Sequence, residues 1–168
     1  MKNLINRFSF SNHKTIKNKL LELIEKTPSL KISNNCDQIS KSDFYIKDLE
    51  KEYVNFITPH IKDFLTVSLK SFNIGGFMIK NIWFQQYHKN NVHKWHTHPN
   101  SHFACVYYVD MPDNTQKTLI KKFGSNELIK FDAEEGDIIM FPAFLNHSSS
   151  LINTDTSKTI ISFNLDII

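Results

Sequence analysis

The stretch Trp95-His96-Thr97-His98-Pro99, followed by the apolar run from Phe103 to Val109, organises this sequence. Side chains alternate between the two faces of an extended strand, so residues two apart point the same way. His96 and His98 are therefore predicted to point to one side. His147 follows a later strand-like run. Two histidines from one extended segment and one from another predict a three-imidazole site for a divalent transition metal.

The size and charge of the chain limit the kinds of protein it can be. It has 168 residues, 40% of them hydrophobic and 22% charged, and a net charge of +3. These values predict one globular domain, residues 1–168. Nucleic-acid binding usually needs a concentrated basic face. Since the lysines are spread along the chain, we expect no nucleic-acid partner.

Cysteine usage and hydropathy indicate where the protein is found. Cys36 and Cys105 form no close pair, and Cys105 lies in an apolar strand, so we expect free thiols and a reducing cytoplasm. The N-terminal segment lacks the apolar core of a signal peptide. No apolar stretch approaches the ~20 residues of a membrane span. We therefore expect a soluble cytoplasmic protein without a membrane partner.

The first part of the chain, residues 1–75, is predicted to be helical. Residues 1–15 have an irregular pattern, and residues 30–41 form a polar segment that predicts a loop. Helical spacing of apolar residues runs from Thr15 to Lys26 and again from Leu49 to Phe72. Pro28 is expected to end the first helix, Ser42-Asp43 to cap the second, and Pro59 to split it.

From residue 76 onward the pattern changes to short strands separated by turns, which predicts a β core over residues 76–168. The predicted strands are Phe77–His88, His93–His98, Phe103–Val109, Thr118–Phe123, Leu128–Phe131, Asp137–Phe141 and Thr159–Ile168. Helices followed by a run of strands are typical of a sandwich or barrel with a helical buttress. The predicted class is α+β, mainly β.

The histidines also allow a simpler interpretation. Four of them, His93, His96, His98 and His102, lie within ten residues, so a histidine-rich surface loop would give the same composition. We expect His93 and His102 to lie in solvent or behind the ligands.

The sequence resembles the 2-oxoglutarate/Fe(II)-dependent oxygenases that carry an H-x-H-P element. The resemblance lies in two regions, Trp83 to Val109 and Gly136 to Asn164. That element is His96-Thr97-His98-Pro99 here, and Ala104 to Val109 is similar to the S-G-V-Y-Y strand that follows it. The later G-x-hydrophobic-F-P element and its histidine correspond to Gly136–Pro142 and His147. The closing element corresponds to Lys158 and Ser162-Phe163-Asn164.

The resemblance implies a fold, a reaction and a set of site residues. The fold would be a double-stranded β-helix, a jelly-roll or cupin-like core buttressed by the N-terminal helices. Fe(II) would be bound by His96, His98 and His147, and Lys158 would pair with the distal carboxylate of 2-oxoglutarate. The remaining co-substrate contacts would come from Ser162, Asn164, Tyr87 and Tyr108. The reaction would couple decarboxylation of 2-oxoglutarate to succinate with hydroxylation of a small-molecule or peptidyl substrate by O2.

Two departures from the family pattern keep other functions open. Most such enzymes use two histidines and one carboxylate, whereas His98 stands at the carboxylate position. Lys158 replaces the usual arginine and offers a point charge instead of a planar fork. Its ammonium could also extend to solvent from the strand start. The alternatives are a cupin-type metal enzyme that does not use 2-oxoglutarate and a non-catalytic jelly roll that binds a metal or ligand.

Overall fold

The computed structural model of the protein describes residues 4–47 and 50–168. In these ranges the chain forms ten strands, two α-helices and two short 3₁₀ helices. In chain order the strands and α-helices are β1 (Asn6–Ser9), α1 (His13–Lys26), β2 (Leu30–Ser33), β3 (Gln38–Ser42), α2 (Glu52–Ser68), β4 (Phe77–Tyr87), β5 (His93–His96), β6 (Phe103–Asp110), β7 (Thr118–Ile120), β8 (Asp137–Pro142), β9 (His147–Ser149) and β10 (Lys158–Ile167). The 3₁₀ helices are Leu69–Phe72 and Asn114–Gln116.

The strands form two antiparallel sheets. The larger sheet has seven strands in the order β1-β8-β6-β10-β4-β3-β2, and the smaller has three in the order β5-β9-β7. The long strands β4 and β10 pair along nearly their whole length, with a register shift at Phe163/Asn164. A cavity lined by residues of both sheets lies between them.

Strand β6 shows how the larger sheet divides the interior into two layers. Ala104, Val106 and Tyr108 belong to the cluster between the sheets, whereas Tyr107 and Val109 belong to the cluster that includes the helices. Both faces of a central strand are therefore buried, which explains why β6 is apolar from Phe103 to Val109.

Both α-helices pack against the outer face of the larger sheet, which confirms the predicted helical buttress. Leu20 and Leu23 of α1 and Ile57 and Ile61 of α2 are buried in one cluster with residues of β4, β6, β8 and β10. Helix α1 ends before Pro28, as predicted. Among the described residues no helix is long and apolar enough to cross a membrane.

The second helix differs from its prediction at its start and at Pro59. It begins at Glu52, and Pro59 lies inside one continuous helix instead of splitting it. Leu49, the predicted first residue, lies outside the described residues. Ser42 ends β3, and Asp43 accepts hydrogen bonds from the Tyr53 hydroxyl and the Phe84 amide, so the predicted Ser42-Asp43 helix cap is wrong.

Four further predictions of local structure are wrong. Residues 30–41, predicted as a loop, contain β2 and most of β3, and the N-terminal segment contains β1 and the start of α1. The predicted strand Leu128–Phe131 is limited to a single bridge between Leu128 and Lys121. His147 begins a strand of its own, β9, which the sequence did not predict.

Candidate metal centre

Three imidazoles converge at the cavity between the sheets. His96 ends β5 and lies directly opposite His147, the first residue of β9, in the antiparallel register. His98 lies two residues beyond β5, where its backbone N–H donates to the carbonyl of Ala143 at 2.9 Å. One ring nitrogen from each of the three histidines lies within 4.8 Å of the others. This spacing suits three ligands of one metal ion.

Backbone carbonyls fix the orientation of two of these rings. Nδ1 of His96 lies 2.8 Å from the Lys94 carbonyl, and Nδ1 of His147 lies 3.0 Å from the Leu145 carbonyl. A carbonyl only accepts, so both Nδ1 atoms carry the proton and both Nε2 atoms keep a free lone pair. Imidazoles that bind metals are usually held in this way.

Burial keeps the three rings neutral, which is the form that binds metals. It lowers the pKa of His96, lowers that of His98 to about 4 with a further contribution from His96, and lowers that of His147 well below its ordinary value. The donor set therefore fits a divalent transition metal.

The cavity is narrow, and both polar and apolar residues line it. Its volume is about 20 Å³, which is room for about one water molecule. Besides the three imidazoles it is lined by hydroxyl and amide side chains, namely those of Gln85, Tyr87, Thr118, Ser148, Ser149, Ser162 and Asn164. Ile160, Ser162 and Asn164 all line it, because side chains two residues apart along β10 point to the same face of the sheet.

Lys158, the first residue of β10, has a side chain that is buried next to residues of this cavity. It is 1% exposed, so the alternative in which its ammonium extends to solvent is wrong. Nζ donates to the Gln116 carbonyl at 2.7 Å and to Oγ of Ser149 at 2.8 Å, and it lies 4.7 Å from the centre of the Tyr87 ring. In the described part of the chain no carboxylate pairs with it. Burial lowers its pKa to about 7.

Two buried polar atoms at the cavity have no hydrogen-bond partner among the described residues. They are the hydroxyl of Tyr87 and Oδ1 of Asn164. Ser149 lies close to the Tyr87 hydroxyl and lowers its pKa slightly against the effect of burial, but no hydrogen bond of normal geometry joins the two, and Ser149 Oγ accepts from Lys158. Buried polar groups are nearly always bonded. The unpaired hydroxyl of Tyr87, whose ring lies against the Lys158 ammonium, therefore indicates a site for a polar ligand.

Two residues considered from the sequence lie away from the cavity. Tyr108 is buried between the sheets, but its hydroxyl donates to Thr118 at 3.0 Å and it does not line the cavity. The side chain of His102 is 61% exposed, and its Nδ1 accepts from the Ile167 amide. His93, expected in solvent or behind the ligands, lines the cavity with its ring centre 4.1 Å from that of His96.

A wider cleft of about 200 Å³ adjoins the imidazoles on the outside. It is lined by His93, His96 and His98 together with the aromatic side chains of Phe44, Tyr45 and Trp83. The rings of Phe44 and Trp83 are 5.1 Å apart, and those of Trp83 and His98 are 5.7 Å apart. Phe44 is 45% and Tyr45 64% exposed, so the cleft offers solvent-exposed aromatic surface near the imidazoles.

Comparison with family models gave no match, and neither did comparison with curated proteins. Solved structures do resemble this one. A viral collagen prolyl hydroxylase from Paramecium Bursaria Chlorella virus-1, in complex with 2-oxoglutarate, is 11% identical with a TM-score of 0.62, over 99% of this chain and 98% of that one. A Trichoplax adhaerens prolyl hydroxylase with a peptide fragment of hypoxia inducible factor is 15% identical with a TM-score of 0.69, over 99% and 84%.

A third similar structure has a small-molecule ligand. HygX from Streptomyces hygroscopicus, with nickel, 2-oxoglutarate and hygromycin B bound, is 9% identical with a TM-score of 0.70, over 97% of this chain and 82% of that one. These similarities establish the fold. The chain is a double-stranded β-helix with helices packed on one sheet, as the sequence predicted.

Proposed function

We propose that the protein is a non-haem Fe(II)- and 2-oxoglutarate-dependent oxygenase that hydroxylates its substrate. The observation that carries this proposal is a cavity lined by three neutral imidazoles, with a buried lysine that contacts two of its lining residues, Tyr87 and Ser149, and has no acidic partner among the described residues. The similar structures support it, because all three described above are named as hydroxylases or contain 2-oxoglutarate.

The three imidazoles, Lys158 and three polar residues of the cavity each have a part in this proposal. His96, His98 and His147 hold the metal, and Lys158 provides the positive charge for the distal carboxylate of 2-oxoglutarate. The unpaired hydroxyl of Tyr87 donates to the same carboxylate, while Ser162 and Asn164 offer further polar contacts. When bound, iron and 2-oxoglutarate supply the activation of O2, with oxidative decarboxylation to succinate and CO2.

The narrow cavity sets a condition on co-substrate binding. A space of about 20 Å³ is far smaller than 2-oxoglutarate. The side chains that line it must therefore move apart when the dicarboxylate binds.

The outer cleft is the proposed substrate site. Phe44, Tyr45 and Trp83 present aromatic surface next to two of the imidazoles, and the cleft is open to solvent. Such a surface suits a peptidyl or small-molecule substrate with an apolar part, held so that one C–H bond faces the metal.

The same narrowness favours a second candidate, a cupin-type metal enzyme that does not use 2-oxoglutarate. A three-histidine site in a barrel serves such an enzyme equally well, and it would require no widening of the cavity. In this case Lys158 would have only its neutral partners, Gln116 and Ser149.

Succinate formation separates the two candidates. With Fe(II), 2-oxoglutarate and air, we expect the wild-type protein to form succinate slowly even without substrate. Loss of a charge-assisted contact is worth ~3 kcal/mol, so Lys158→Ala should lower kcat/KM for 2-oxoglutarate about 100-fold. Lys89→Ala, at a lysine whose side chain is 53% exposed, is the matched control and should keep the wild-type rate. Wild-type protein that binds iron but forms no succinate would favour the cupin-type candidate.

A further inference from the structure

Asp37, in the turn between β2 and β3, is a buried carboxylate at the edge of the metal centre. It is 7% exposed and lines the outer cleft together with His93, His96 and His98. The sequence around Asp37 does not indicate a functional role, because Asn34-Asn35-Cys36-Asp37 is typical of an ordinary polar turn.

A chain of two hydrogen bonds links Asp37 to a candidate ligand. The backbone N–H of Lys94 donates to Oδ1 of Asp37 at 2.9 Å. The carbonyl of the same residue accepts the Nδ1 proton of His96 at 2.8 Å. Because β5 is an edge strand of its sheet, the carboxylate satisfies an N–H that no neighbouring strand pairs. Asp37 therefore fixes the residue that orients the His96 ring.

Asp37 also brings negative charge to a site whose ligands have none. Its Oδ1 lies 3.9 Å from Nε2 of His93, and the His93 ring contacts that of His96 with its plane tilted by 30°. Burial opposes ionisation of Asp37, but hydrogen bonds from Lys94 and Asn34 outweigh it, and its pKa is lowered. The Lys94 ammonium, 3.7 Å from Oδ2, neutralises this charge only in part, because it is half-exposed.

We propose that Asp37 is a positioning residue of the metal centre. Through Lys94 it holds the His96 ring in place, and its carboxylate supplies the negative charge that three neutral imidazoles lack. In the usual site of two histidines and one carboxylate that charge comes from a ligand. Here it comes from a different segment of the chain. This inference rests on one part of the proposed function, the binding of a divalent metal by His96, His98 and His147.

Titration with Co²⁺, followed by its visible absorption, tests this role without any turnover. Asp37→Ala removes both the hydrogen-bond acceptor and the charge, whereas Asp37→Asn keeps an acceptor oxygen and removes only the charge. Groups that support metal ligands typically contribute 10- to 100-fold in affinity. We therefore expect Asp37→Ala to bind Co²⁺ about 10- to 100-fold more weakly than the wild type, with an altered spectrum. Asp37→Asn should bind Co²⁺ more weakly by a factor of about three or more.

Asp155→Asn is the matched control, since that carboxylate is 89% exposed and pairs with Lys89. It should bind Co²⁺ as the wild type does. Wild-type affinity and spectrum in both Asp37 variants would overturn the inference and leave the proposed function intact. If Asp37→Ala does not fold, wild-type affinity in Asp37→Asn alone overturns the role of the charge. A wild-type protein that binds no Co²⁺ would refute the proposed function itself, and the inference with it.

Discussion

Lys158 is the residue whose environment is hardest to explain without a ligand. Its ammonium is buried and has only neutral oxygens and an aromatic ring as partners. A buried cation without a counter-charge destabilises the folded state. A bound dicarboxylate would remove this penalty.

The protonation of Lys158 predicts opposite pH trends for two quantities, the free energy of unfolding and the affinity for 2-oxoglutarate. Its pKa is about 7 in the folded protein against 10.5 for an ordinary lysine. The unfolded chain therefore holds one more proton between these values, and the free energy of unfolding should rise as the pH increases from about 7 to 10. Affinity for 2-oxoglutarate should fall over the same range, because the anion needs the ammonium.

Urea unfolding and calorimetric titration with 2-oxoglutarate, each from pH 6.5 to 9, measure these two trends. Lys158→Met should remove both. Affinity that stays constant with pH in the wild type would show that the ammonium does not bind the co-substrate.

Tyr87 offers a second test at the level of one atom. Its buried hydroxyl has no partner among the described residues. An unpaired buried hydroxyl costs ~1 kcal/mol or more, so Tyr87→Phe should unfold at higher urea concentration than the wild type. The same variant should bind 2-oxoglutarate several-fold more weakly. A variant that is less stable, with unchanged affinity, would mean that the hydroxyl is bonded in the free protein and does not contact the co-substrate.

At the scale of single elements, the turn before β8 depends on Gly136. Its φ is +87°, and a Cβ at this position would lie 2.9 Å from the ring of His13. We expect Gly136→Ala to lower the free energy of unfolding by about 2–4 kcal/mol, from backbone strain and the clash with α1. Gly75→Ala is the control, because a Cβ there meets nothing within 4 Å. Equal stability of the two variants in urea unfolding would contradict this explanation of the turn.

The elements also show what the sequence could predict. The long apolar strands β4, β6 and β10 and the helix α1 follow from periodicity, and so does the convergence of His96 with His98. Strands β2, β3 and β9 were missed because they are short and carry many polar residues. They are extended only because they pair with neighbouring strands. The contacts of Lys158 with Gln116 and Ser149, and the position of Asp37, depend on segments far apart in the chain. Local patterns contain no signal for such contacts.

At the scale of the whole molecule, the larger sheet separates the stability of the fold from the chemistry of the site. The helices pack on its outer face, and the imidazoles and Lys158 lie on the other side. Ile57 of α2 is fully buried in the outer cluster. Ile57→Ala should therefore cost about 2–4 kcal/mol of stability but leave the affinity of the folded protein for Co²⁺ unchanged.

Val67→Ala, on the same helix at a position 72% exposed, is the control and should change neither quantity by much. Chemical unfolding and Co²⁺ titration measure the two effects. Weaker Co²⁺ binding in folded Ile57→Ala would show that the two layers are coupled.

The most direct test of the central claim is an anaerobic titration of the protein with Fe(II) and then 2-oxoglutarate, followed by visible absorption. If the three imidazoles and Lys158 form one site, wild-type protein should develop the charge-transfer band of the chelated co-substrate. His147→Ala should show no band, and Lys158→Ala should need a much higher 2-oxoglutarate concentration. Iron-loaded wild-type protein that develops no band at saturating 2-oxoglutarate would contradict the claim.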